Sequence, residues 1–279
     1  MYIRVTSKEE RNKKNVLSKQ LKQIEKKEQK ILNKKENAFI KTKFNPVIDQ
    51  IQDKIPKKLQ DTLEAAFYKG FQLVFEKGSV YIEKTYNKDK RLMEYEINNY
   101  AVDKFCNKRN FKRLDQQAKL SNTLNSSIAV LEGGILGALG IGLPDIPLFI
   151  AVIIRSINEI ALSYGYQYHT DEEKVYMLHI ISGAMKKEMN QKEYDCKIDE
   201  LGKNIDCNIV TDVNLKDHMK EAADILSDAL LTAKFIQGIP IVGVVGGIVN
   251  HTIIRKITSY ARLKYKKRYL LSRMNKEHS

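Results

Sequence analysis

The sequence predicts an all-α protein, a helical bundle with two glycine-rich apolar helical hairpin segments and a basic N-terminal helical arm. Three observations predict it. Only 5 prolines and 14 glycines interrupt 279 residues, too few for a turn-rich all-β sandwich. Apolar residues recur at helical spacing in segment after segment. No long stretch alternates apolar with polar, as a half-buried strand would. The expected organisation is a basic helical arm over 1–58, a helical domain over 59–271 and a basic tail over 272–279.

The arm carries strong helix formers and no Gly or Pro over 8–43, and Ser7 with Glu10 fits a capping box. Leu17, Leu21, Ile24 and Ile31 form a thin stripe, with Glu28 on the missing heptad position. The other faces are mostly lysine, so an exposed helix is expected, ending before Asn45–Pro46. Pro56 fits the first turn of the next helix, whose Leu59, Leu63, Ala66, Phe67, Gly70, Val74 and Phe75 share one face and continue toward Tyr81. A mixed helix over about 90–106 offers Leu92, Tyr95, Tyr100 and Phe105 to the core. Thr170 and Glu173 form a second capping box, opening a helix with Val175, Leu178, Ile181 and Met185. Residues 191–212 read as a polar excursion. A further helix then places Met219, Ala222, Ala223, Leu226, Ala229 and Leu230 on one side.

Two segments depart from ordinary helix chemistry, "IAVLEGGILGALGIGLPDIPLFIAVIIR" (128–155) and "FIQGIPIVGVVGGIVN" (235–250). Each glycine inside a helix costs about 1 kcal/mol relative to alanine, so close helix approach must offset it. Gly133, Gly137 and Gly140 form a groove of small residues, and Gly243 and Gly247 repeat its spacing. Pro144 and Pro147 split the first segment into pieces of about 24 and 30 Å, near the roughly 30 Å a bilayer core requires. Arg155 sits mid-way along the second piece. An antiparallel fold-back at Pro144 would bring Glu132 level with it. A packed core hairpin is the preferred reading, ahead of partial membrane insertion.

The net charge of +14 lies at the ends, with a surplus of 10 in residues 1–60 and 8 in 250–279. Such ends suit a polyanionic partner, an anionic membrane surface first and a nucleic acid second. Along 250–279, Ile253, Ile257, Tyr260 and Leu271 mark an inward stripe. Arg255, Arg262, Lys266, Lys267, Arg268 and Arg273 are expected to cover the rest and to contact the polyanion. Three cysteines and no secretory signal point to a reducing cytoplasm.

Three blocks occur in order: "GGILGALGIGLPDIPLFIAVIIR", "SYGY" at Ser163–Tyr166, and "IPIVGVVGGIVNHTIIRKITSYARLKYKKRY". Through these the chain resembles the EcsC protein family over roughly 59–271. The family is named for a protein encoded beside components of a bacterial ABC exporter. The resemblance implies a bacterial helical protein acting at or near the inner face of the cell membrane, with membrane transport proteins as partners. It supplies no catalytic residues.

No cofactor is expected. The order G-x-x-G-x-G at Gly137–Gly142 is not a dinucleotide fingerprint and lacks a Gly-Lys-Ser/Thr ending. No metal site is expected either: Cys196 and Cys207, with Asp195, Asp199 and Asp206 nearby, lack a CxxC or a histidine and read as a polar loop. Asp145 reads as a helix cap. With Glu132 and Arg155 it also makes the one candidate polar site for an enzyme reading, against the preferred non-catalytic one.

Overall fold

The structure, a computed structural model, describes residues 2–32, 55–119, 145–186, 188–209, 213–236 and 247–276. Every regular element among them is helical, and the protein is an all-α bundle. Glu132, Gly133, Gly137, Gly140 and Gly243 lie outside the described residues, as does the fold-back that would level Glu132 with Arg155.

Helix α1 spans Tyr2–Leu32, so it starts ahead of the Ser7 box. It is also not an exposed arm. Leu17 and Ile24 are buried in the core, and Leu21 and Ile31 pack against it. The stripe read from the sequence is real, and it packs chiefly on the C-terminal helix.

Helix α2 (Lys57–Leu73) begins after Pro56, whose extended backbone makes it the cap rather than the first turn. A π-helical turn (Val74–Gly78) carries the chain into short α3 (Ser79–Glu83). Asn87 caps α4 (Lys88–Lys104), its side chain accepting from the Lys90 amide. Leu92 and Tyr95 pack inward as expected, but Tyr100 and Phe105 are exposed. Helix α5 (Lys108–Lys119) buries Phe111, Leu114 and Ala118 at helical spacing.

Helix α6 (Asp145–Ser163) forms the centre, contacting α2, α3, α4, α5 and the C-terminal helix. Its stretch Ile146–Ser163 is, among the described residues, the one helix long and apolar enough to cross a membrane, and 94% of that stretch is buried in protein. Asp145 stands at its first residue. The helix ends in a Schellman motif: Gly165, at φ +83°, donates to the Leu162 carbonyl, and Tyr166 donates to Ala161. Helix α4 packs on α5 and α6, and this arrangement leaves Met93, Ile97 and Tyr100 on its outer side.

Thr170 caps α7 (Asp171–Met185) as predicted, accepting from the Glu173 amide. Most of the expected polar excursion is instead helical: α8 spans Glu188–Asp206 and packs on α7 and the C-terminal helix, while residues 210–212 lie outside the described residues. Several of its acids face inward because they supply counter-charge to that helix. Helix α9 (Leu215–Ile236) buries Met219, Ala222, Ala223, Leu226 and Leu230 against α2 and α7. Helix α10 (Gly247–Lys276) opens at Gly247 and buries Ile253, Ile257 and Tyr260. Leu271, expected inside, is exposed.

Candidate functional site

The six basic residues expected to face a polyanion divide sharply. Lys266 and Arg268 are buried, and Lys267 and Arg273 are partly so. Lys266 Nζ donates to Asp115 of α5 at 2.7 Å and to Gln20 of α1 at 3.1 Å. Lys267 holds Glu28 at 2.6 Å and Asp199 at 2.5 Å. Arg268 meets Glu173 and Asp206, each at 2.8 Å, beneath the rings of Tyr166 and Tyr176. Arg273 reaches Asp103 at 2.7 Å. Half-buried Arg262 donates to Ser259, which leaves Arg255 as the exposed member. A helix read as a cationic surface is therefore the spine of an internal ion-pair network.

Lys264 sits at the middle of that network, fully buried. Its ammonium lies 2.9 Å from Glu28, 2.5 Å from Asp195 and 2.8 Å from Asp199. Those three carboxylates are close enough together to hold a metal ion, but the ammonium already occupies the point where they converge. Burial raises the carboxyls of Glu28 and Glu173 above the usual range, and the neighbouring cations only partly reverse it. For Lys267 burial pulls downward, but the Asp199 and Glu28 carboxylates outweigh it and hold the charge.

Arg155, one member of the candidate polar site, is likewise committed. It pairs at 2.9 Å with Glu159, one turn along α6, and Arg91 of α4 reaches the other oxygen at 2.7 Å. Asn158 beside them lines a cavity of about 120 Å³ together with Tyr168, His169 and the π-helical turn. Tyr86 and Tyr168 close that side through a 2.6 Å hydroxyl pair, and Tyr168 donates to Glu83. The cluster ties α6 to α3 and α4. It brings together no nucleophile, general base and oxyanion donor in one accessible place among the described residues.

A surface that sequence spacing does not reveal lies at the corner between α4 and α5. Met93, Ile97 and Tyr100 recur at helical spacing on α4, and all three are exposed. Phe105, at the end of α4, is 71% exposed. Its backbone is clamped there: the buried Asn110 amide donates to the Ala101 and Phe105 carbonyls, both at 2.8 Å. Beyond the corner, α5 exposes Lys108, Arg109, Lys112, Arg113 and Lys119, while its one acid, Asp115, is bound to Lys266. Helix α1 reaches this corner at Lys13, whose carbonyl lies 3.9 Å from Cys106 Sγ, and Arg11 and Lys14 of the same turn are exposed. Three exposed acids, Asp89, Glu96 and Asp103, share the α4 side, and Arg273 neutralises the third.

A model of the EcsC protein family matches residues 18–270. The chain belongs to the EcsC protein family. The EcsC match begins within α1, well ahead of the blocks that carried the resemblance. It takes in Ile24 and Glu28, so much of the docked face of α1 lies within the matched residues. It ends at Leu270, the last buried residue of α10. The "SYGY" block of this EcsC chain is the Schellman turn, which aims Tyr164 at Asp115 of α5 and Tyr166 at Arg268 of α10. No curated protein and no solved structure matches the chain.

Proposed function

We propose that this EcsC-family protein is a non-catalytic accessory protein. It binds peripherally to an acidic bilayer, at the inner face of a bacterial cell membrane and in the service of a transport system. The observation that supports it is the α4–α5 corner, where exposed Met93, Ile97, Tyr100 and Phe105 stand beside exposed Lys108, Arg109, Lys112 and Arg113. Apolar side chains above a cationic rim are the chemistry of an interfacial anchor. Burying one large apolar side chain is worth about 1.5–3 kcal/mol, and each cation near an acidic surface adds about 1 kcal/mol. On this reading the charge of α10 holds the bundle together, while the corner and the neighbouring part of α1 meet the lipid.

Vesicle flotation tests this reading. The full chain should float with vesicles containing phosphatidylglycerol at low salt and stay down with purely zwitterionic ones. Ile97→Glu and Phe105→Glu should each reduce flotation severalfold. Lys112→Glu combined with Arg113→Glu should lower flotation at low salt to the level the wild type shows at high salt. Equal flotation of the wild type and the Phe105→Glu variant overturns the proposal. So does tight binding to DNA or RNA that Phe105→Glu leaves untouched, because the cations would then be serving phosphate alone.

A further inference from the structure

We infer that the groove between α2 and the first turn of α6 binds one long-chain fatty acid. The acyl chain lies on the apolar floor and the carboxylate sits at Lys57 and Lys58. The cavity has a volume of about 910 Å³, within the roughly 300–1,000 Å³ of small-molecule sites. Ala65, Ala66, Gly70 and Leu73 of α2 form its floor together with Ile146 and Pro147 of α6. Gly70 sets the depth. A Cβ there would lie 2.5 Å from Cδ1 of Ile150, so the two helices meet with no side chain between them at that point.

The rim is cationic. Lys57, Lys58, Lys69 and Lys77 line the cavity against two acids, Asp61 and Glu76, and all six are exposed. Among the described residues none of these four lysines enters an ion pair, whereas Lys264 and Lys267 of α10 are fully committed. Lys57 and Lys58 stand in the first turn of α2, which holds no acid. The positive end of a helix disfavours cations, so an anion received there relieves both lysines. At the far end Glu76 stands beside Lys77 in the π-helical turn, a feature that recurs at functional sites. The unbalanced charge is therefore at the Lys57 end.

Length and chemistry together decide the occupant. Helix α2 runs 17 residues from Lys57 to Leu73, about 25 Å at 1.5 Å per residue. One acyl chain spans half of the roughly 30 Å bilayer core, about 15 Å. A single chain with its head at Lys57 and Lys58 therefore ends short of Glu76 and Lys77. A free phosphate or a nucleotide would use the lysines and leave the apolar floor bare. An uncharged alkane would do the reverse. A fatty acid uses both, and the lysine stems add carbon along its flanks. The groove shares no residue with the α4–α5 corner, so this inference does not rest on the proposed membrane contact.

The test titrates the full chain, free of vesicles, with the fluorescent fatty acid cis-parinaric acid, which palmitate then displaces. One saturable site per chain is expected, with uncharged hexadecanol a much weaker competitor. Ala65 is exposed at the groove, so Ala65→Trp fills it without entering the core and should weaken palmitate severalfold. Lys57→Gln combined with Lys58→Gln should weaken palmitate severalfold and leave hexadecanol unmoved. Circular dichroism checks both folds, and the surface Gln pair decides the matter if the Trp variant is misfolded. Phe105→Glu, which lowers flotation, should bind palmitate like the wild type, so the two readings fail separately. Absence of saturable binding, equal competition by palmitate and hexadecanol, or a palmitate affinity that the Gln pair leaves unmoved overturns the inference. Displacement by lysophosphatidylcholine ahead of palmitate also overturns it, because the occupant would then be a zwitterionic lipid.

Discussion

Lys264 donates to Glu28 at 2.9 Å across 236 residues of sequence, and neither side chain reaches solvent to any useful extent. This contact joins the first helix to the last. Lys267 binds the second oxygen of the same carboxylate, so Glu28 serves two cations at once.

Glu28→Ala removes that shared counter-charge and leaves two ammonium groups short of a partner inside the protein. Breaking a buried ion pair on one side costs about 3–5 kcal/mol. Urea unfolding should show a loss of that size. Limited proteolysis should also cut α1 faster, because among its described side chains only Leu17 and Ile24 remain as buried apolar anchors.

Glu159→Ala leaves Arg155 and Arg91 without their common carboxylate. The Arg155 side chain is only 4% exposed, so water cannot replace the partner. A destabilisation of about 3–5 kcal/mol is expected in urea, and a smaller one for Arg91→Ala, whose charge lies nearer the surface.

Gly165→Ala strains the Schellman turn. The backbone is in the left-handed region, and an added Cβ would overlap the Tyr95 ring. The conformational part alone costs about 1–2 kcal/mol, with the clash in addition. A lowered thermal midpoint, together with weaker near-UV tyrosine signals, checks the outcome.

Stability should fall on acidification below neutral pH, and His179 carries part of that fall. Burial, then His218 and Lys197, push its imidazole down to about 4. The unfolded chain takes up the proton first, near pH 6.5, so native stability is full above that value and is lost as pH drops toward about 4. The loss is about 2–3 kcal/mol for this group. Urea midpoints measured at pH 7, 5.5 and 4.5 should trace it, and His179→Gln should flatten the slope. Glu28, Glu159 and Glu173 work in the opposite sense. Their raised values give stability that is present at low pH and declines as pH climbs through them.

Several elements are legible in the sequence because their signals are local. The Thr170 cap needs only the residues that follow it. The α1 stripe is visible as well, including the odd carboxylate at its missing heptad position. Residues 188–206 escape such reading because acidic residues every few positions look solvated until the basic face of α10 is set against them. Exposure of Phe105 escapes for the mirror reason: an aromatic residue at helical spacing looks like core.

The sequence by itself determined that this chain is helical, that a cap at Thr170 opens α7, and that it belongs with EcsC proteins. The first two follow from spacing, capping and composition, which act over a few residues, and the third rests on the family match. Only the tertiary structure decided which charges are internal, because a lysine faces water or a carboxylate according to what a distant helix brings to it. Lys264 and Lys112 carry the same side chain, and packing alone makes the first a buried strut and the second part of an exposed surface.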